Sequence, residues 1–177
     1  MNETKSKAII VMGVSGAGKT SIAELLASRL HCTFVEGDRL HPEANVKKMA
    51  EGIPLTDEDR WPWLEVIGEN LHAARDRNED IVATCSSLKK IYREKLRSAG
   101  GEPLYFVFLK GSPELLADRM GHRQGHFMPS SLLQSQLATL ESPEGESGVV
   151  TVDIDATVPQ IVDAAIAKLR QLWQEKT

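Results

Sequence analysis

The sequence predicts an α/β fold: a five-stranded parallel sheet with helices on both faces, in one domain spanning 1–177. Three observations predict it. Five short apolar runs, at 8–12, 32–36, 81–85, 104–109 and 149–153, lack strict polar alternation, as do strands covered on both faces. Helical stretches separate these runs, and β-α alternation of this kind argues a parallel sheet. Residues 13 to 20 read Gly-Val-Ser-Gly-Ala-Gly-Lys-Thr and lead into the apolar stripe Ile22, Leu25, Leu26 and Leu30, a strand–loop–helix unit.

Each helix has its own local reason. The first follows the glycine-rich loop. The second is predicted over about 57–77, because Thr56 and Asp59 stand three apart, nearly a capping box. A third covers about 87–98. Ser112-Pro113-Glu114 opens a short one, with proline at its first position. The last, about 158–174, lines up Val158, Ile161, Val162, Ala165, Ile166, Leu169 and Trp173 on one stripe. Glu141 to Gly148 is the most loop-like stretch. No repeat, low-complexity tract or linker interrupts the chain.

The bulk numbers exclude several classes. A chain of 177 residues, 41% hydrophobic and 26% charged, suits one soluble domain. Its net charge of −4 lacks the basic excess that a nucleic-acid partner would require. Its apolar runs are strand-length, so no membrane span is predicted. Met1 to Lys7 is polar and unlike a signal peptide. Cys32 and Cys85 form no CxxC or Cys/His cluster, so no disulfide framework or zinc site is expected. A reducing, cytoplasmic setting fits.

The loop at 13–20 is a G-x-x-x-x-G-K-[ST] phosphate loop, whose mechanism dictates its residues. Gly13, Gly16 and Gly18 let successive backbone N–H groups of the loop, Val14, Ser15 and Ala17 included, turn inward onto phosphate oxygens. Lys19 brings a mobile positive charge to the β- and γ-phosphates, and Thr20 offers a hydroxyl to Mg²⁺. A guanine-reading Asn/Thr-Lys-x-Asp is missing. Asp118-Arg-Met-Gly121 matches D-x-x-G, but it falls inside a predicted helix and is read as chance. A small chain with long polar insertions suits a small-molecule kinase better than a switch or motor.

Other candidates collect at the carboxyl ends of the strands, where such sheets place their ligands. Asp38 ends the second strand's segment. It either accepts an acceptor hydroxyl's proton, holds a metal-bound water, or caps a turn. The polar stretch from His41 to Leu64 suits a segment wrapping a small polar substrate. Within it, Arg60 is the cation suited to a carboxylate, and Lys47 and Lys48 are read as a solvated face. Trp61 and Trp63 are read as core, and His41 as either a ligand or a turn residue. Lys89 and Arg93, four apart, share one helical face. Arg119 and Arg123 stand on a segment that a flap closing over phosphates would use. His122 and His126 have no third ligand for a metal.

These motifs together resemble the bacterial gluconokinases. The resemblance runs through Gly13–Thr20, Gly37-Asp38 with His41-Pro42, Asn45, Lys48-Met49, Gly52 to Leu64, Cys85-Ser86, Leu88-Lys89-Lys90, Tyr92-Arg93, Leu109-Lys110-Gly111, Gly125-His126-Phe127, Ser135-Gln136 and Leu140-Glu141. It covers nearly the whole chain in order, and the stretch from His41 to Leu64 is its specific part. It implies ATP-dependent phosphorylation of D-gluconate to 6-phosphogluconate. It implies a P-loop kinase fold of the nucleoside-monophosphate-kinase type, with a substrate-binding insertion at about 41–77 and a lid at about 119–135, commonly as a homodimer. Carried over residue by residue, Gly13, Val14, Ser15, Gly16, Ala17, Gly18, Lys19 and Thr20 match the ATP loop, with Thr20 on Mg²⁺. Asp38 matches the acidic residue near the acceptor hydroxyl. Arg60, Lys89 and Arg93 match positions around gluconate, and His41 and His126 lie in the same substrate motifs. Arg119 and Arg123 match lid arginines. Ser87 stands where alanine is usual, and Gln124 where a basic residue is common. No aspartate ends the third strand, which leaves the Mg²⁺ site resting on Thr20, with Asp38 as the open alternative for a further ligand.

Overall fold

The computed structural model describes residues 6–121 and 130–174. All five expected strands are present, as β1 (Ala8–Met12), β2 (Thr33–Val35), β3 (Ile81–Thr84), β4 (Leu104–Lys110) and β5 (Val149–Asp153). They form one parallel sheet in the order β2-β3-β1-β4-β5. Every residue of β1 and β3 is buried, which is why both read as unbroken apolar runs. At the edge, β5 instead alternates, with Val150 and Val152 inward.

The order places the helices. The chain leaves β1 towards one edge and leaves β3 towards the other. Right-handed crossovers in opposite directions put their helices on opposite faces. Accordingly α1 (Lys19–Leu30) packs with α7 (Val158–Gln174), and α3 (Asp57–Asp76) packs with α4 (Lys90–Gly100). The α3–α4 contact is close: a Cβ on Gly68 would stand 2.3 Å from that of Ala99.

The capping box of α3 is complete. Asp59 N–H donates to Thr56 Oγ1 at 3.1 Å, and Thr56 N–H donates to Asp59 Oδ2 at 2.9 Å. Lys48 departs from the solvated face expected of it. It donates to the same Asp59 Oδ2 at 2.8 Å, so it ties α2 (Glu43–Ala50) to α3. That bond, followed by the cap, draws the Asp59 carboxyl down to about 2.

Three elements differ from expectation. The stretch after Pro42 forms α2, although Pro42, Gly52 and Pro54 flank it closely and no helix is expected there. Helix α6 (Ser130–Thr139) follows α5 (Pro113–Gly121) within the segment carried as a lid; residues 122–129 of that segment lie outside the described residues. Helix α4 begins at Lys90 rather than near 87. Ser87 there takes a left-handed φ of 52°, and its carbonyl accepts from Arg93 Nη1 at 2.8 Å.

One close approach matters for the site. Gly37 opens a single 3-10 turn, Gly37–Leu40, at the end of β2. A Cβ on Gly37 would lie 1.8 Å from the carbonyl oxygen of Thr84, a backbone atom that cannot swing aside. Gly37→Ala is therefore expected to destabilise the protein by about 1–3 kcal/mol or more, the usual range for overpacking. Urea unfolding measures it, and an unchanged midpoint would show that β2 and β3 can separate there.

Candidate active site

The phosphate loop joins β1 to α1 and wraps its own lysine. Gly16 and Gly18 both take a left-handed φ of 87°, where a side chain would be strained. Lys19 Nζ donates to the carbonyls of Gly13 and Val14 at 3.1 and 3.2 Å. The Ser15 N–H donates to Gln136 Oε1 of α6 at 2.8 Å, so α6 sits against the loop.

At the loop's far end stands a group that sequence reasoning missed. Thr20 Oγ1 donates to Glu36 Oε2 at 2.5 Å. The Thr84 hydroxyl donates to the other oxygen of Glu36, and accepts from Gly37 N–H at 2.9 Å. Glu36 is thus aimed at the hydroxyl of the loop's threonine from the end of β2. The only sequence signal was its place two residues before Asp38. A hydroxyl and a carboxylate are hard oxygen donors, and Mg²⁺ on a nucleotide needs only one or two protein oxygens beside phosphates and water. Thr20 and Glu36 fit that requirement.

Lys19 also lines an open cleft. Asp38 and His41 line it from the segment after β2, Arg60 and Trp63 from α3, and Ser135 and Gln136 from α6. Among the described residues the Asp38 carboxylate accepts no hydrogen bond, and it is exposed to the cleft. Trp63 is buried, as expected of core, but it also forms part of the wall. Its Nε1 donates to Gly37 O at 2.8 Å, and its ring stacks on His41 at 3.8 Å.

Arg60 is held in place. Its Nη1 donates to the Tyr92 hydroxyl at 2.7 Å, and its guanidinium lies 5.0 Å from that ring's centre. The Tyr92 hydroxyl donates in turn to Asp57. Lys89 Nζ pairs with the same Asp57 oxygen at 3.1 Å, beside the cleft rather than on its wall. The bonds from Tyr92 and Lys89 hold the Asp57 carboxyl below its ordinary value.

Arg93 is not where its sequence role requires. Its side chain is 0% exposed and pairs with Glu146 at 2.6 Å, while Arg97 reaches the same carboxylate at 3.1 Å. Burial pushes the Glu146 carboxyl up, but the bonds from Arg93 and Arg97 outweigh it and leave it lowered. An arginine so enclosed holds the 141–148 loop against α4, and has no surface left for a ligand. A half-buried carboxylate 53 residues away pairs with it, because leaving the buried arginine's charge unpaired is far more costly than pairing it.

Arg119 stands on the other side of β1. Its Nη2 donates to Ile154 O at 2.5 Å, at the carboxyl ends of β4 and β5. A second hollow opens there, lined by Lys110, Gly111, Ser112, Pro113, Leu115, Asp153 and Asp155. Arg123 and His126 lie outside the described residues.

Comparison with known proteins agrees with this geometry. Residues 15–169 match the family model described as shikimate kinase. The gluconokinase of Gluconobacter oxydans is 51% identical over 148 residues, covering 84% of this chain and 83% of that protein. The thermosensitive gluconokinase of Escherichia coli is 43% identical over 169 residues, covering 93% of this chain and 90% of that one. A crystal structure of a gluconokinase from Sinorhizobium meliloti superposes with a TM-score of 0.88 at 51% identity, covering 98% and 97% of the two chains. The family model speaks for the phosphoryl-transfer frame that such kinases have in common, and the near full-length relatives narrow it: this chain belongs to the gluconokinase family.

Proposed function

We propose that this chain transfers the γ-phosphoryl group of ATP to D-gluconate, giving 6-phospho-D-gluconate. The observation that carries this reading is one cleft with three groups on its wall: Lys19 for the phosphates, Asp38 for an acceptor hydroxyl and Arg60 for an acid. Phosphoryl transfer asks mainly for positioning and charge stabilisation. The loop's N–H groups and Lys19 take the β- and γ-phosphates. Mg²⁺, when bound to the nucleotide, supplies charge neutralisation; Thr20 would hold it, and Glu36 would orient the Thr20 hydroxyl or a metal-bound water. Asp38 aligns the 6-hydroxyl and receives its proton. Arg60, fixed by Tyr92, pairs with the carboxylate. Lys89, paired with Asp57 beside the cleft, helps to hold the Asp57–Tyr92–Arg60 chain, and the hollow beside Arg119 suits the adenine side. The reading includes a homodimer working in the cytoplasm; no helix among the described residues is long and apolar enough to cross a membrane.

An acceptor screen tests it. Gluconate is expected to support ADP release, with phosphate appearing on C6 by ³¹P and ¹³C NMR. Glucose, without a carboxylate, leaves the cation of Arg60 unpaired and is expected to fall at least roughly 10²-fold in kcat/KM. Shikimate tests the rival acid. Equal kcat/KM for gluconate and glucose would overturn the carboxylate role of Arg60, and turnover of shikimate alone would overturn the choice of acid.

A further inference from the structure

His41 enters the cleft in a defined electronic state. Its ring lies on the indole of Trp63 at 3.8 Å with 19° between planes, so one face is covered. Asn45 stands one helical turn further on, only 3% exposed. The Asn45 amide nitrogen lies 2.8 Å from the carbonyl oxygen of Asp59. A carbonyl only accepts, so this contact decides which way the Asn45 amide faces. The same nitrogen lies 3.2 Å from His41 Nδ1. An amide nitrogen has two hydrogens and accepts nothing. One hydrogen goes to Asp59 O, the other to His41, and Nδ1 must therefore carry the lone pair.

We propose that Asn45 is a positioning residue that locks His41 as the neutral Nε2–H tautomer, making His41 a fixed hydrogen-bond donor to an oxygen of the bound sugar acid. With Nδ1 turned to Asn45 and one face on Trp63, the Nε2 edge is left for the cleft. The wall then offers a donor at His41 and an acceptor at Asp38, the two partners that order a row of hydroxyls. A second base beside Asp38 is avoided. This deepens the phosphorylation reading and rests on it for the identity of the acid.

The surrounding charges agree. Burial first, then the nearby Arg60 charge, push the His41 imidazole down to about 4. Asp38 and Lys19 face the same cleft from the 3-10 turn and α1. On the Asn45 side, the carboxylate of Asp59 is taken by Lys48. The neutral form therefore persists through the physiological range.

Ring-nitrogen NMR of the ¹⁵N-labelled full chain tests the tautomer without substrate, and so independently of whether gluconate is the acceptor. Wild-type protein is expected to show His41 with a bare Nδ1 and a protonated Nε2, unchanged from about pH 5.5 to 8. In Asn45→Asp the new carboxylate is expected to draw the proton to Nδ1 and bring His41 into its ordinary titration range. A paired substitution supplies the kinetic arm. His41→Gln keeps an N–H near the Nε2 position, whereas His41→Asn keeps one near Nδ1, and both lose the stacking. His41→Gln is expected to hold KM for gluconate within a few fold of wild type, and His41→Asn to raise it roughly tenfold further, the effect of one lost neutral hydrogen bond. A wild-type spectrum with Nδ1 protonated would overturn the lock. An Asn variant binding gluconate as well as the Gln variant would overturn the donor role even if the tautomer is as stated.

Discussion

Lys19→Ala is expected to lower kcat by at least about 10²–10³-fold, the loss of roughly 2.7–4 kcal/mol seen when one transition-state donor is removed. No other side chain of the 13–20 loop carries a positive charge. Lys19 Nζ donates to the carbonyls of Gly13 and Val14, which are weaker partners for an ammonium than a phosphate oxygen. The ammonium is therefore expected to move to the γ-phosphate of bound ATP and to interact more strongly as negative charge develops there. The side chain is only partly buried, so stability should barely change. Steady-state kinetics at saturating ATP and gluconate, with a thermal melt as control, measure both. Near-normal kcat would remove this lysine from the chemistry.

Asp38→Asn is expected to lower kcat by about 10²–10⁴-fold, the range for losing a positioned general base, with ATP affinity nearly unchanged. The structure separates the two carboxylates after β2. Glu36 is turned back to Thr20 and Thr84, towards the phosphate loop. Asp38 faces the cleft with His41 and Arg60, where the proposed acceptor would lie. Asparagine keeps the size of Asp38 but cannot take a proton. Calorimetric ATP binding beside single-turnover rates distinguishes the roles. Lost ATP binding with a normal single-turnover rate would move Asp38 to the metal and return the base to an unassigned group.

The primary structure alone determined the sheet, most helices and the phosphate loop. Their signals are local. A strand covered on both faces, such as Ala8–Met12, has no polar residue to spare. Thr56 and Asp59 satisfy each other's backbone across three residues. Gly16 and Gly18 fill left-handed positions within one loop. Helix α2 stayed hidden because Pro42, Gly52 and Pro54 around it read as breakers, while its first turn needs no N–H from the residue before it. Only the tertiary structure decided which charges meet. Arg60 and Arg93 look equally available in sequence, yet one is held on the cleft wall by Tyr92 and the other is enclosed by Glu146. Glu36 meets the hydroxyls of Thr20 and Thr84, 16 and 48 residues away, and His41 Nδ1 meets the amide of Asn45, which also reaches the Asp59 carbonyl of α3. Helix and strand periodicities are set by neighbours within a turn, but a charged or titratable side chain takes its state from whatever the folded chain brings within about 4–6 Å of it.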